Sequence, residues 1–198
     1  MATAKKTNAK KTAAKTATAK KAPAKKSPAK KSASAKTDAT VLLHRDHAEV
    51  SKGFKQYAKL LKTKAAAGER QRLAEHLCRL LTVHAKIEEE IFYPAARNAG
   101  VDAALVDEAD VEHAVAKDLM GYIESMKPGD AHYDAKVTVL GEYIAHHVEE
   151  EEQQMFPKCR KAKMDMAGLA TQLADRKSAL TAQMANAPPK QMTGRVQR

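Results

Sequence analysis

Four stretches of this chain, each about 20 to 28 residues long, place apolar side chains at every third or fourth position. This spacing lines one face of an α-helix and leaves the opposite face to charged residues. Segments rich in Pro, Gly and Asn separate the stretches, as in "NAG" at 98–100 and "KPGD" at 127–130. The sequence therefore predicts an all-α protein, an up-down-up-down four-helix bundle with short loops. The predicted helices span residues 39–66, 69–93, 102–126 and 131–156.

Capping and breaking residues set the predicted helix ends. Asp38 can cap the first helix, because its side-chain oxygen can accept a hydrogen bond from an N–H group of the first turn. Pro94 and Pro157 are predicted to end the second and fourth helices, since proline has no N–H and clashes with the preceding turn. A shorter amphipathic pattern at 165–185 predicts an additional C-terminal helix.

Residues 1–37 differ in composition from the rest of the chain. They hold twelve lysines and no acidic residue, so nearly all of the formal charge of +11 belongs to this segment. They contain no Val, Leu, Ile or Phe whose burial could offset the entropy cost of ordering. We therefore predict a disordered basic arm at 1–37, the bundle at 38–160, and the C-terminal helix with a frayed end at 161–198.

The composition of the basic arm resembles the Lys/Ala-rich tails of linker-histone-like proteins. The resemblance implies nonspecific association with DNA or another polyanion, because lysines neutralise phosphates and release counterions. The arm has no Arg and no aromatic residue, so recognition of individual bases is not expected. The alternative is an extension that only keeps the chain in solution.

Cysteine content and hydropathy predict a cytoplasmic protein, with association with the nucleoid through the arm. Cys78 and Cys159 are the only cysteines, no apolar signal core precedes Val41, and no run of about 18 apolar residues could span a membrane. Cys78 is expected to fill the core. Cys159, between Lys158 and Arg160, is expected at the surface, as an idle thiol or one with a lowered pKa.

Two segments share an unusual arrangement of histidine, glutamate and proline. "HAKIEEEIFYP" at 84–94 and "HVEEEEQQMFP" at 147–157 each place Glu four residues and Pro ten residues after the first His. On a helix, residues four positions apart lie on the same face, with their Cβ atoms about 5–6 Å apart. Each segment can therefore present an imidazole and a carboxylate to one point.

Six polar residues interrupt the apolar stripes near the middle of the four predicted helices. They are His47, His84, Glu88, His113, His147 and Glu151. Burial of six such groups is costly unless a partner compensates them, and a metal centre would be such a partner. Imidazole and carboxylate ligands suit iron, manganese or zinc, and carboxylates able to bridge favour two ions over one. The alternative interpretation is a set of solvated charged faces that fall into register by accident.

The motifs on these helices resemble those of the hemerythrin-like, or HHE cation-binding, domains. They are Asp46–His47, His84 and Glu88 with Tyr93–Pro94, Glu112–His113, and His147 and Glu151 with Phe156–Pro157. The resemblance covers about residues 40–157 and implies a non-haem di-iron centre with a bridging oxo or hydroxo group. It implies that the four histidines are terminal ligands and the two glutamates bridge the ions.

One position departs from the oxygen-carrying hemerythrins, which have a second histidine one turn after the first on the third helix. Here that position is Lys117, and a protonated ammonium group cannot bind a metal. About two coordination positions would then stay open, unless His44, Glu112 or water fills one. We therefore predict a protein that binds or senses oxygen, peroxide, nitric oxide or iron itself.

Two alternatives to this function remain at the level of the sequence. The first is a nucleoid-associated DNA-binding protein whose metal-binding bundle is structural. The second is a peroxide-consuming di-iron enzyme, so whether the protein is an enzyme stays open.

The other histidines and one tyrosine are expected outside the centre. His146 points about 100° away from His147 on a helix, so it is expected at the surface. His76 and His132 lie off the apolar stripes or near a helix end, and are expected to be structural or exposed. Tyr143 lies one turn before His147 and is expected to pack in the core, with a hydrogen bond near the metal as the alternative.

Overall fold

The computed structural model describes residues 38–186, and every regular element within them is helical. In chain order the elements are α1 (Ala39–Lys62), α2 (Ala67–Ile87), a first π-helical turn (Glu88–Phe92), α3 (Tyr93–Asn98), α4 (Ala103–Ser125), α5 (Tyr133–Glu150), a second π-helical turn (Glu151–Met155), α6 (Phe156–Lys161) and α7 (Met166–Asn186). The predicted all-α bundle with an additional C-terminal helix is confirmed. The predictions for residues 1–37 and for the frayed end after residue 186 lie outside the described residues.

Two apolar clusters, one toward each end of the bundle, show that neighbouring helices run antiparallel. The first cluster joins Leu43 from the start of α1, Ile87 from the end of α2 and Val106 from the start of α4. The second cluster joins Tyr57 from the end of α1 with Ile123 from the end of α4. The start of one helix therefore packs beside the end of the next, as an up-down-up-down bundle requires.

The prediction that Pro94 and Pro157 end their helices is wrong. Each proline lies in the first turn of a short helix that follows a π-helical turn without a break. Tyr93 and Phe156, directly before the prolines, donate their N–H groups to the carbonyls five residues earlier, those of Glu88 and Glu151. Because the π turn abandons the normal hydrogen-bond spacing at this point, a residue without an N–H is accommodated there.

The first helix begins where the sequence predicts and ends earlier. Asp38 caps α1, since its Oδ1 accepts a hydrogen bond from the N–H of Thr40 at 2.8 Å. The helix ends at Lys62 instead of residue 66, because Lys64 adopts a left-handed backbone with φ of 52°.

The C-terminal helix α7 packs against α1 and α2. Its buried residues Leu169, Leu173 and Leu180 join the first apolar cluster, as the amphipathic pattern predicts. Within residues 38–186, no helix combines the length and the apolar composition needed to cross a membrane.

The surface position predicted for Cys159 is wrong. The side chain is wholly buried, and burial raises the pKa of its thiol to about 11. The prediction rested on the charged neighbours Lys158 and Arg160, but the helix continues past Pro157 and places Cys159 in the first apolar cluster. Cys78 is buried, as predicted.

Candidate metal centre

All six polar residues singled out from the sequence converge between the two apolar clusters, and all are buried. Nε2 of His47 lies 3.0 Å from Nε2 of His84, and Nε2 of His113 lies 3.2 Å from Nε2 of His147. The four imidazole rings come from four helices. Each directs its Nε2 atom inward, and the four atoms form two pairs. Paired ring nitrogens that face each other across a core are a geometry that a cation between them would stabilise.

The two buried glutamates lie between the histidine pairs. Ligand atoms of His47, His84, Glu88 and Glu151 lie within 4.8 Å of one another, and so do those of Glu88, His113 and His147. Glu88 belongs to both groups. Glu151 also reaches both pairs, because its Oε2 lies 3.2 Å from Nε2 of His47 and 3.6 Å from Nε2 of His147. Both carboxylates are therefore placed where they could bridge two ions.

Three carboxylate oxygens of the centre have no hydrogen-bond partner among the described residues. They are both oxygens of Glu88 and Oε2 of Glu151, and all three are buried. Leaving buried carboxylate oxygens without a partner costs several kcal/mol. A bound cation would compensate them, so the residues present fit the metal centre that the sequence predicts.

The pKa shifts of Glu88, Glu151 and their neighbouring histidines also fit a metal centre. Burial and the neighbouring carboxylate of Glu151 raise the pKa of Glu88 well above its usual value. Burial also opposes ionisation of Glu151, but the imidazoles of His147 and His47 outweigh it and lower the pKa of Glu151. Burial lowers the pKa of His84, and lowers that of His113 to about 3. These opposed shifts are expected where two buried carboxylates lie close together, because ionisation of one disfavours ionisation of the other.

Each of the four inward-facing histidines has a carboxylate behind it, near its Nδ1 atom. The distances from Nδ1 to the nearest carboxylate oxygen are 2.8 Å for His47 and Glu152, 3.5 Å for His84 and Asp46, 2.9 Å for His113 and Glu89, and 2.6 Å for His147 and Glu112. A carboxylate in this position holds the ring proton on Nδ1 and directs the lone pair of Nε2 inward. This orientation is the one that a metal ligand needs.

The sequence analysis assigned this role to none of the four carboxylates. It named Asp46 and Glu112 only in the family motifs, with Glu112 also as a possible ligand, and did not single out the other two, Glu89 and Glu152. Each directly follows a buried glutamate of the centre, Glu88 or Glu151. Consecutive helical residues point about 100° apart, so the second glutamate of each pair faces away from its own helix's inward face. It reaches the histidine of a neighbouring helix instead. The signal that could have identified Glu89 and Glu152 is a second glutamate directly after the inward-facing one.

Neither protein residue suggested for the vacant coordination position lies among the inward-facing atoms. Glu112 lies behind His147, and His44 is a mostly exposed residue whose Nδ1 is 2.7 Å from Oε1 of Glu152. Lys117 points away from the centre, and its Nζ lies 2.5 and 2.6 Å from the two carboxylate oxygens of Glu89. Lys117 thus holds the carboxylate that orients His113.

Tyr93 is the tyrosine that reaches the centre. Its hydroxyl donates a hydrogen bond of 2.9 Å to Oε1 of Glu151 and lies 3.4 Å from Nε2 of His113. Burial and the charges of Glu151 and Glu88 raise the pKa of this hydroxyl well above its usual value, so it remains a proton donor. Tyr143 packs beside the second apolar cluster, as predicted. His76, His132 and His146 are exposed, as expected.

A cavity of about 440 Å³ between α1 and α5 has His47 in its wall. Apart from this imidazole, the inner lining is largely apolar and includes Val50, Phe54, Ile144 and Val148. The cavity is large enough for a small molecule and lies beside the centre on the side of His47.

Comparison with known proteins gives one family and one related fold. The family model of the Hemerythrin HHE cation binding domain matches residues 38–159. The crystal structure of a hemerythrin HHE cation binding domain-containing protein from Mycobacterium kansasii is similar, with a TM-score of 0.65 and 20% sequence identity over 79% of this chain and 94% of that one. No curated protein matches the sequence.

Proposed function

The chain belongs to the hemerythrin HHE cation-binding family, and we propose that its bundle holds two iron ions between Glu88 and Glu151. In this proposal His47 and His84 would hold one ion, His113 and His147 would hold the other, and Glu88 and Glu151 would be shared by both. The observation that carries the proposal is the set of buried carboxylate oxygens without a hydrogen-bond partner among the described residues, enclosed by four imidazoles.

The proposed centre binds or senses a small ligand such as oxygen, peroxide or nitric oxide, or responds to iron itself. When bound, the irons would supply redox chemistry and coordination positions that the protein leaves free. Lys117 points outward at the position where oxygen-carrying hemerythrins have a further histidine, which leaves one ligand fewer. The largely apolar cavity beside His47 offers a path for a small uncharged molecule.

The chain's own residues have defined tasks in this proposal. Glu152, Glu89 and Glu112 hold the ring protons of His47, His113 and His147 on Nδ1. The hydroxyl of Tyr93 donates a hydrogen bond to Oε1 of Glu151 and fixes the orientation of this carboxylate. The two apolar clusters exclude water from either end of the centre.

Absorption spectra distinguish the proposed function from its alternatives. We expect the iron-loaded protein to show the near-ultraviolet and visible bands of a bridged diferric centre, and these bands to change when oxygen, peroxide or nitric oxide is added. The bands should be absent in His84→Ala, which loses an inward nitrogen. They should persist in His76→Ala, which changes an exposed histidine on the same helix.

The outcome decides between three functions. Bands that respond to a ligand without turnover support a carrier or sensor. Continuous consumption of peroxide that is lost in His84→Ala supports the di-iron enzyme. A protein that purifies with zinc and has no such bands contradicts the redox proposal and supports a structural bundle.

For the basic arm we propose nonspecific association with DNA or another polyanion, which would hold the centre near nucleic acid. Twelve lysines without an acidic residue support it. With about six to ten phosphate contacts, duplex affinity should fall about 10³- to 10⁵-fold between 50 and 200 mM salt. A chain beginning at residue 38 should bind far more weakly, with a shallow salt slope. Equal affinities and slopes for the two chains would contradict the proposal.

A further inference from the structure

One lysine of the C-terminal helix contacts Asp46, the carboxylate next to Nδ1 of His84. Nζ of Lys177, on α7, donates a hydrogen bond of 2.5 Å to Oδ1 of Asp46, on α1. The other oxygen of Asp46 faces Nδ1 of His84. The family model ends at residue 159, so α7 lies outside the matched residues.

Asp46 is the outer carboxylate whose contact with its histidine is longest. It lies 3.5 Å from Nδ1 of His84, whereas the other three carboxylates lie within 2.9 Å of theirs. Oδ2 of Asp46 and Nδ1 of His84 are both buried, and neither has a hydrogen-bond partner among the described residues. A small rotation of the Asp46 side chain therefore decides whether this hydrogen bond forms.

A cavity of about 360 Å³ beside Asp46 offers its carboxylate another orientation. Asp46 and Lys177 line this cavity, whose wall is largely apolar but also includes the polar side chains of Glu49, His76 and Arg79. A carboxylate that turned into the cavity would regain hydration and leave Nδ1 of His84 without an acceptor. The ammonium group of Lys177 opposes this rotation by holding Oδ1 in place.

We propose that Lys177 is a positioning residue for His84, acting through Asp46. By fixing Asp46 with Oδ2 toward Nδ1, it keeps the ring proton of His84 on Nδ1 and the lone pair of Nε2 directed at the ion shared with His47. The additional helix is thereby part of the metal centre's support. This inference rests on the proposed function, in that the centre must hold metal for the effect on affinity to appear.

The neighbouring residue on α7 provides a matched control. Arg176 donates two hydrogen bonds, of 2.5 and 3.0 Å, to the carboxylate of Glu90 in the first π-helical turn. This ion pair also docks α7 on the bundle, but none of its described contacts involves a histidine. Substitution of Arg176 therefore tests docking of the helix alone, whereas substitution of Lys177 tests docking and the link to His84.

The experiment measures Zn²⁺ binding to the full chain by competition with a chelating dye. We expect Lys177→Met to weaken one of the two binding events about tenfold, the lower end of the effect of removing a direct outer carboxylate. Lys177→Arg, which keeps the cation, should restore the affinity, and Arg176→Met should bind as the wild type does. Equal effects of Lys177→Met and Arg176→Met, or no effect of either, would overturn the proposal.

Nitrogen NMR of the histidine rings in the metal-free protein separates this proposal from the proposed function. His84 should carry its proton on Nδ1 in the wild type and in Arg176→Met, and should become a mixture of both tautomers in Lys177→Met. An unchanged tautomer in Lys177→Met overturns the positioning role. If the wild type binds no metal but the tautomer of His84 still changes in Lys177→Met, the proposed function is contradicted and the positioning role is supported.

Discussion

Replacing Glu88 by methionine is expected to empty both metal positions of the centre. Glu88 is wholly buried, and its carboxylate belongs to both groups of converging ligand atoms. Methionine has a similar volume but its thioether is a poor ligand for iron, so each ion loses a bridging ligand at once. We expect metal content to fall from two ions per chain to well below one, measured by elemental analysis of protein purified from iron-replete cells.

The control for this variant is Glu90→Gln, two residues along the same π-helical turn. Glu90 is partly exposed and pairs with Arg176, away from the histidines. It should keep two ions per chain. If Glu88→Met also kept two ions, the assignment of Glu88 as a bridging ligand would be wrong. If both variants lost them, the effect would reflect disruption of the turn.

Removing the metal from the wild-type protein is expected to lower its free energy of unfolding by several kcal/mol. Without a cation, both oxygens of Glu88 and Oε2 of Glu151 have no hydrogen-bond partner among the described residues. A ligand at a thousand times its dissociation constant stabilises the folded state by about 4 kcal/mol. For a chain of this size this corresponds to a fall of about 8–16 °C in the unfolding midpoint. Calorimetry with and without a strong chelator measures the difference.

The variant Glu88→Met should not respond to the chelator. Its unfolding midpoint should not change, because it holds no metal. Its midpoint should also exceed that of the metal-free wild type, since an apolar side chain replaces a buried carboxylate without a partner, a change that is often worth about 1–4 kcal/mol. A wild type whose midpoint is the same with and without metal would remove the energetic basis of the proposed centre.

The sequence predicts the inner part of the centre because that part obeys a local rule. Glu88 follows His84 and Glu151 follows His147 by one helical turn, and all four interrupt apolar stripes. His47 and His113 are identified by the same interruption. The structure brings all six together, between clusters whose members also follow the apolar spacing.

The outer part of the centre depends on pairing between helices, which spacing within one helix does not specify. Glu152 on the second π-helical turn reaches His47 on α1, and Glu89 on the first reaches His113 on α4. Lys177 lies 131 residues from Asp46. Such contacts require the relative positions of the helices along their axes, which follow from packing of the whole core.

Two local predictions were wrong near the π-helical turns. Pro94 and Pro157 were expected to end their helices, and Cys159 was expected at the surface because Lys158 and Arg160 flank it. The π-helical turns accommodate both prolines, so each helix continues and its following residues pack inward. The turns also include Glu88 and Glu151 as their first residues, so the irregular backbone coincides with the proposed bridging ligands.

The most direct test of the central claim is anomalous diffraction at the iron edge from crystals of the iron-loaded full chain. Our account predicts two peaks inside the bundle. One should lie against Nε2 of His47 and His84 and the other against Nε2 of His113 and His147, with the carboxylates of Glu88 and Glu151 between them. The absence of peaks in the bundle, or a peak only at exposed groups such as His146, would contradict it.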